Sequence, residues 1–459
     1  MLALPALLAS LTPLACSQGR TRGFEGWYHR LTVGEDSLAF IYSIFDPADP
    51  KSARHGVGAQ LCGPQNDYLY RTGEATNFWA DERQLRLGHT FQGVPFGRET
   101  PPQAFQRFVS EGFQLSATRH QGQLTHPNGG QIRWCYDVTP RIGWGGDAGA
   151  PRQYSTAGWL AALPVFEPHY QVLMAHGEAS GYVEWRGRRL DFERASCYTE
   201  KNWGGSFPSR WFWLQCNTFE ELHGEPTVTL TSAGGARGNP LLPGRTEDVA
   251  LIAVRPRCRR TRCRRTRCRR TRCRRTRCRR TRCRRTRCRR TLFSTHPHPE
   301  GVAPACPHLF SSCVSRPPAP LLQVHTADAF YPFANVEWQI SPWGSWSLRG
   351  ELDDLSVTVE ASCAPDLAGV SVLCPNEQGM EGRSRETFEG LLHVRLWRRL
   401  PGGGESLVLE ARTRQAALEV GGVHLDSDNS WVGSCGIGDA ARQVLAADVP
   451  LPRDLLPGL

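Results

Sequence analysis

Apolar side chains that recur at every second position constrain this chain more than any other feature. Leu38, Phe40, Tyr42 and Ile44 alternate through residues 37–46, the period of a β-strand that turns one face to a core. The same spacing returns at Phe113, Leu115 and Ala117, and at Leu355, Val357 and Val359. Segments 132–138, 211–219, 227–231, 391–397 and 407–411 are rich in β-branched and aromatic residues, which suit a pleated surface. Glycine (46 residues) and proline (33) punctuate these runs, as turns between short strands require. Helical periodicity is nearly absent, with residues 440–447 the best short stretch. The pattern predicts an all-β protein of two domains, each a sandwich or a lipocalin-like barrel. At 459 residues, the chain is long enough for both cores.

The expected organisation is a leader over residues 1–23, a first β-domain over 24–195 and a second over 196–459, interrupted at 255–324. The interruption is a low-complexity insert. Within residues 257–291 the unit Arg-Cys-Arg-Arg-Thr occurs seven times in tandem, and a Pro-rich tail follows over 292–320. A unit with three arginines and no large apolar group cannot bury a core, so the repeat is expected to be disordered. Strand patterns at 249–254 and 336–340 flank the insert and are expected to be neighbours.

The insert also distorts the charge. The chain carries a formal +11, but the repeat alone holds 21 arginines and no acid, so the remainder stands at −10. The body of the protein is mildly acidic, and no nucleic-acid partner is expected. Seven of the 17 cysteines belong to the repeat. The other ten are dispersed without the paired spacing of a zinc site. The apolar run over residues 2–16 is broken by Pro5 and Pro13, and falls short of the about 20 residues a spanning helix needs. Its length suits a secretory signal, whereas the acid-free stretch before Glu25, with Arg20 and Arg22, suits an organelle transit peptide.

No G-x-S-x-G elbow, Walker loop, H-E-x-x-H or dinucleotide fingerprint is present. What stands out is aromatic density around polar residues: Phe24-Glu25-Gly26-Trp27-Tyr28, Phe166-Glu167-Pro168-His169-Tyr170, and Tyr198-Thr199-Glu200-Lys201-Asn202-Trp203-Gly204-Gly205 ahead of Trp211-Phe212-Trp213. The last stretch, extended through Phe207-Pro208 and Leu214-Gln215-Cys216-Asn217, strongly resembles the tocopherol cyclase family of plants, algae and cyanobacteria. Supporting matches include Phe40-Ile41-Tyr42-Ser43, Gly56-Val57-Gly58-Ala59-Gln60, Gly158-Trp159-Leu160-Ala161, Ala233-Gly234-Gly235 and Ser341-Pro342-Trp343-Gly344-Ser345-Trp346. The likeness runs from about Phe24 to the C-terminus and skips the insert. The insert departs from the family pattern, as does Tyr170, where tryptophan is usual.

The resemblance implies two lipocalin-like β-domains and closure of a phytyl benzoquinol to the chromanol ring of tocopherol, in the chloroplast at a peripheral membrane or plastoglobule surface. The family is also distantly similar to carotenoid 1,2-hydratases, which protonate a prenyl alkene. An alkene hydratase and a non-catalytic prenyl-lipid carrier are therefore the alternative readings. Cyclisation adds a proton to a trisubstituted alkene and traps the tertiary cation with the phenol oxygen. No electrons reach a carrier, so no cofactor or metal is expected. The proton donor is best a carboxyl desolvated in an apolar pocket, and aromatic faces stabilise the cation. On this basis Glu200 is the expected acid, with Tyr198 orienting it, His169 accepting the phenol proton and Glu25 as second acid. Trp203, Asn202, Trp211, Trp213, Tyr170 and Trp27 are expected to line the substrate pocket.

Overall fold

The period-two runs become strands of two antiparallel sheets in a computed structural model. It describes residues 23–47, 49–52, 55–81, 84–143, 168–220, 227–238, 246–257, 323–326, 329–331, 333, 335–376, 379–422 and 430–436. The leader up to residue 22, the repeat beyond Arg257, the Pro-rich tail, residues 158–161, Phe166, Glu167 and the helix expected at 440–447 lie outside the described residues.

The first sheet holds β1 (Phe24–Val33), β2 (Asp36–Phe45), β3 (Gly56–Cys62), β4 (Tyr68–Gly73), β5 (Phe78–Ala80), β6 (Arg86–Gly93), β7 (Val109–Ser116), β8 (Arg119–Thr125), β9 (Gln131–Ile142), β10 (His169–Trp185) and β11 (Arg188–Gly204), with a short helix α1 (Pro102–Phe108) before β7. It is a meander whose ends are joined through β1 and β11, in the order β4-β3-β2-β1-β11-β10-β9-β8-β7-β6-β5. The sheet curls until its edges approach. Arg71 on β4 reaches Glu111 on β7 at 2.7 Å and lies over the Phe91 ring of β6.

The second sheet holds β12 (Arg210–Cys216), β13 (Thr227–Gly238), β14 (Thr246–Arg257), β15 (Gln323–Thr326), β16 (Ala329–Tyr331), β17 (Asn335–Ile340), β18 (Ser345–Leu352), β19 (Leu355–Ser362), β20 (Val370–Pro375), β21 (Met380–Arg399), β22 (Glu405–Gly422) and β23 (Trp431–Gly436). Its order is β16-β15-β14-β13-β12-β22-β21-β19-β18-β17-β23, with β20 added on β21. Strands β17 and β18 alternate strictly between exposed and buried positions. Their inward Trp338 and Trp346 pack with Phe212 and Trp431 at ring separations of 5.6–6.0 Å.

The all-β class and the two curled sheets agree with the sequence pattern, and the structure departs from it in three respects. Strand β2 was expected to bury one face, yet both are covered. Leu38, Phe40, Tyr42 and Ile44 fill the interior of the first sheet, while Ala39 and Ile41 pack against residues of the second. The change from one sheet to the other falls at residues 205–209, because the residue 195/196 boundary lies inside β11. Finally, β14 and β17 do not pair with each other. β14 pairs with β13 and β15, and β17 with β18 and β23. For β13–β14 and β17–β18 these partners are close in the chain, and closing a short loop costs less entropy than spanning a long insert.

Candidate active site

The site is built on β11, where alternation sends adjacent motif residues to opposite faces. Tyr198, Glu200 and Asn202 face the second sheet, and Thr199, Lys201 and Trp203 face the interior of the first. On the inner face, Lys201 Nζ pairs with Glu25 Oε2 at 3.1 Å, both residues buried. The same ammonium lies 5.6 Å from the Trp27 ring centroid and 4.9 Å from that of Trp203. His169, opposite Trp203 in register, stacks on its ring at 5.0 Å. Thr199 bonds His29 at 2.8 Å.

On the outer face, among the described residues, the donors to Glu200 are neutral. Its Oε2 accepts the Tyr198 hydroxyl at 2.5 Å, the Tyr170 hydroxyl at 2.6 Å and the Trp213 indole N–H at 3.1 Å. Oε1 is 3.5 Å from the Asn202 amide nitrogen. Burial pushes the Glu200 carboxyl up to about 7, against the pull of the Tyr170 and Tyr198 hydrogen bonds. It can therefore hold a proton near neutrality and release it within the pocket.

Two more carboxyls complete the site. Glu386 on β21 and Glu419 on β22 stand directly opposite each other in register. Tyr28 donates its hydroxyl to Glu386 Oε1 at 2.6 Å, and the Trp211 indole donates to Glu419 Oε1 at 3.2 Å. Burial, and for Glu386 also the charge of Glu419, raises both carboxyls above their ordinary range. Glu200, Glu386 and Glu419 share one cleft between the sheets with Tyr28, Ile41, Phe207 and Met380, among others.

Other cross-sheet bonds hold the walls in place. The Gln60 side chain bonds Leu373 of β20 through both its amide nitrogen (2.9 Å) and its oxygen (2.8 Å), completing a backbone-like pair between sheets. Arg30, 1% exposed, reaches the Gln215 side chain at 2.9 Å and the Gln415 carbonyl at 2.6 Å.

Of the expected site residues, the structure brings Tyr198, Tyr170, Trp213 and Asn202 to Glu200, while Trp211 bonds Glu419. Of those expected to line the pocket, Asn202 borders the cleft, whereas Tyr170, Trp211 and Trp213 are not among its lining residues. Tyr170 bonds the carboxyl directly. Trp27 borders the cleft, but its ring stacks on Phe78 at 6.2 Å within the first core. Glu25, His169 and Trp203 are not brought to Glu200. Each sits an odd number of register positions away and so projects to the opposite face. Sequence reasoning missed Glu386, Glu419 and the role of Tyr28. The available signal was slight: Glu419 is an acid set in the apolar run Ala416-Ala417-Leu418-Glu419-Val420.

The family described as "Tocopherol cyclase-like" matches residues 21–265 and 313–422. The chain is 32% identical over 473 residues to the "Probable tocopherol cyclase, chloroplastic" of Oryza sativa subsp. japonica, covering 95% of this chain and 84% of that protein. It is also 32% identical to the "Tocopherol cyclase, chloroplastic" of Zea mays, with 95% and 83% covered. Among solved structures, CghA aligns with a TM-score of 0.43 and 7% identity, over 90% of this chain and 92% of its own.

Proposed function

This chain belongs to the tocopherol cyclase-like family, and we propose that it is a tocopherol cyclase in which Glu200 supplies the proton that starts ring closure. The enzyme is an isomerase: it converts a phytyl benzoquinol to a chromanol of the same composition. One observation carries the assignment of the acid. Glu200 is a buried carboxyl among aromatic side chains, surrounded by neutral donors and shifted to about 7.

Protonation of the prenyl double bond by Glu200 leaves a tertiary cation on the chain. Phe24, Tyr28, Phe45 and Phe207 line the cleft beside the carboxyl, and Tyr170, Tyr198 and Trp213 hold it by hydrogen bonds. Aromatic faces in a water-poor site stabilise a cation by about 0.5–2 kcal/mol each, and their bulk keeps water from capturing it first. The phenol oxygen then closes the ring. Tyr198 and Tyr170 hold the carboxyl at one oxygen and leave Oε1 the less encumbered atom, with Asn202 at its side.

The relatives carry chloroplastic names, and a chloroplast location follows for this chain. A phytyl chain is insoluble in water, so the protein acts at a lipid surface such as a plastoglobule, held peripherally. Among the described residues no helix is long and apolar enough to cross a membrane. Carbonate washing of chloroplast membranes releases a peripheral protein, and retention in the pellet would contradict this placement. Activity is tested by incubating the purified protein with a phytyl benzoquinol. A product of unchanged mass that lacks the free prenyl alkene marks the cyclase. Gain of one water would mark a hydratase, and unaltered quinol would sink both.

A further inference from the structure

Ring closure releases a phenol proton, and the residue expected to take it, His169, stands on the far side of β11. We propose that the cross-strand pair Glu386–Glu419, acting as one unit, accepts the phenol proton as the chromanol ring closes. This inference rests on the cyclase reading and deepens it.

Three observations place the pair there. Both carboxyls line the same cleft as Glu200, but they project from β21 and β22 of the second sheet, whereas Glu200 projects from the first. The cleft thus has a carboxyl on one wall and a pair on the other, with the quinol head between. Second, the two residues are directly opposite in register, where two like charges repel strongly. Such a pair holds one proton between its members and retains room for a second. Third, Ser43 on β2 lines this cleft, is 5% exposed, and its hydroxyl has no hydrogen-bond partner among the described residues. Its strand neighbours in register are Gly26 and Gly58, and a Cβ at Gly58 would come within 3.0 Å of the Ser43 hydroxyl. Gly58 keeps this donor uncovered, and it marks a place for a ligand oxygen on the wall beside the pair.

The balance closes without an outside reagent. The Glu200 O–H breaks and its proton forms a C–H bond at the alkene. The phenol oxygen bonds the tertiary carbon, and its O–H proton passes to the pair. Return of that proton across the cleft restores Glu200, so each turnover begins and ends with the same count. The groups facing the pair are Tyr28 and Arg30 of β1, Cys62 of β3, Glu200 of β11, Trp211 of β12 and Cys374 of β20. Arg30 and Tyr28 favour an ionised Glu386, whereas Glu200 and Glu419 oppose it.

The test uses the full chain, phytyl benzoquinol and deuterated water, reading two quantities. One is chromanol formed. The other is deuterium entering the prenyl chain of recovered quinol, which reports cation formation and reversal. Glu386→Gln/Glu419→Gln is expected to lose chromanol formation by about 10²–10⁴-fold while deuterium still enters the quinol. Glu200→Gln loses both, and if it loses neither, the cyclase assignment of the acid fails independently. Each single Gln variant removes the partner acid that steadies the pair's single negative charge, so the remaining carboxylate takes up its proton at higher pH and the acid limb of the chromanol rate moves up. That shift is read on single variants and decides the matter even where the double variant does not fold. A folded double variant that cyclises within tenfold of the parent, or loses both signals together, overturns the proposal. So does a single-variant limb that stays in place or moves down.

Discussion

Glu25 and Glu200 are both buried carboxyls on paired strands of one sheet, yet their surroundings differ in kind. Glu25 meets the Lys201 ammonium at 3.1 Å. Glu200, one position along β11 from that lysine, meets two phenols and an indole instead. A buried carboxylate paired with a cation at contact distance ties β1 to β11 as part of the scaffold. A buried carboxyl that sees only neutral donors can gain or lose a proton, which a general acid must do. The two faces of a single strand thus divide support from chemistry, and a separation of one residue is enough because neighbouring strand residues point opposite ways.

The sharpest way to break this contrast is Glu200→Gln. It keeps the size and most hydrogen bonding but removes the acidic proton, so cyclisation should fall by about 10²–10⁴-fold with the melting transition retained. Near-normal turnover in this variant would move the acid elsewhere. On the other face, Lys201→Met strands Glu25 without its cation and should cost about 3–5 kcal/mol of stability, read by denaturant unfolding. Adding Glu25→Gln to that variant should recover much of the loss. A Lys201→Met protein as stable as the parent would show that the inner face is not structural.

A gentler probe is pH. The Glu200 carboxyl titrates at about 7 in the folded protein and near 4.3 when unfolded. Between these values the folded state binds the extra proton, so stability falls as pH rises through that window. The contribution is present below about pH 4.3 and is lost above 7. It amounts to about 3–4 kcal/mol, and should appear as a pH-dependent difference between the parent and Glu200→Gln. Turnover should fall over the same upper limb, because the ionised form has no proton to give. The smallest effect is expected from Tyr170→Phe. Losing a donor that favours the carboxylate raises the Glu200 pKa and moves the basic limb of the rate profile upward. A downward shift would contradict the hydrogen bond to Glu200.

Much of the site's near half was legible in the sequence. Tyr198, Glu200 and Asn202 lie at alternate positions in one short motif, and Trp211 and Trp213 repeat the spacing on the next strand, so each set shares a face. The far half was not legible. Glu386 and Glu419 lie far along the chain from Glu200, and an acid in a strand reads from sequence alone as a solvent-facing residue. His169 and Glu25 illustrate the converse. Both lie in aromatic motifs beside the acid's strand, and nearness in the motif says nothing about which face they take.

The sequence by itself determined the all-β class, most strand positions and the motif that supplies the acid, because period-two alternation and local motif spacing are properties of neighbouring residues. Only the tertiary structure decided that β2 is covered on both faces, that β14 and β17 do not pair with each other, and that three carboxyls from β11, β21 and β22 converge on one cleft. Those outcomes depend on which sheet face packs against which and on strand register. Side chains far apart in the chain, such as Tyr28 and Glu386, meet only once both sheets have formed.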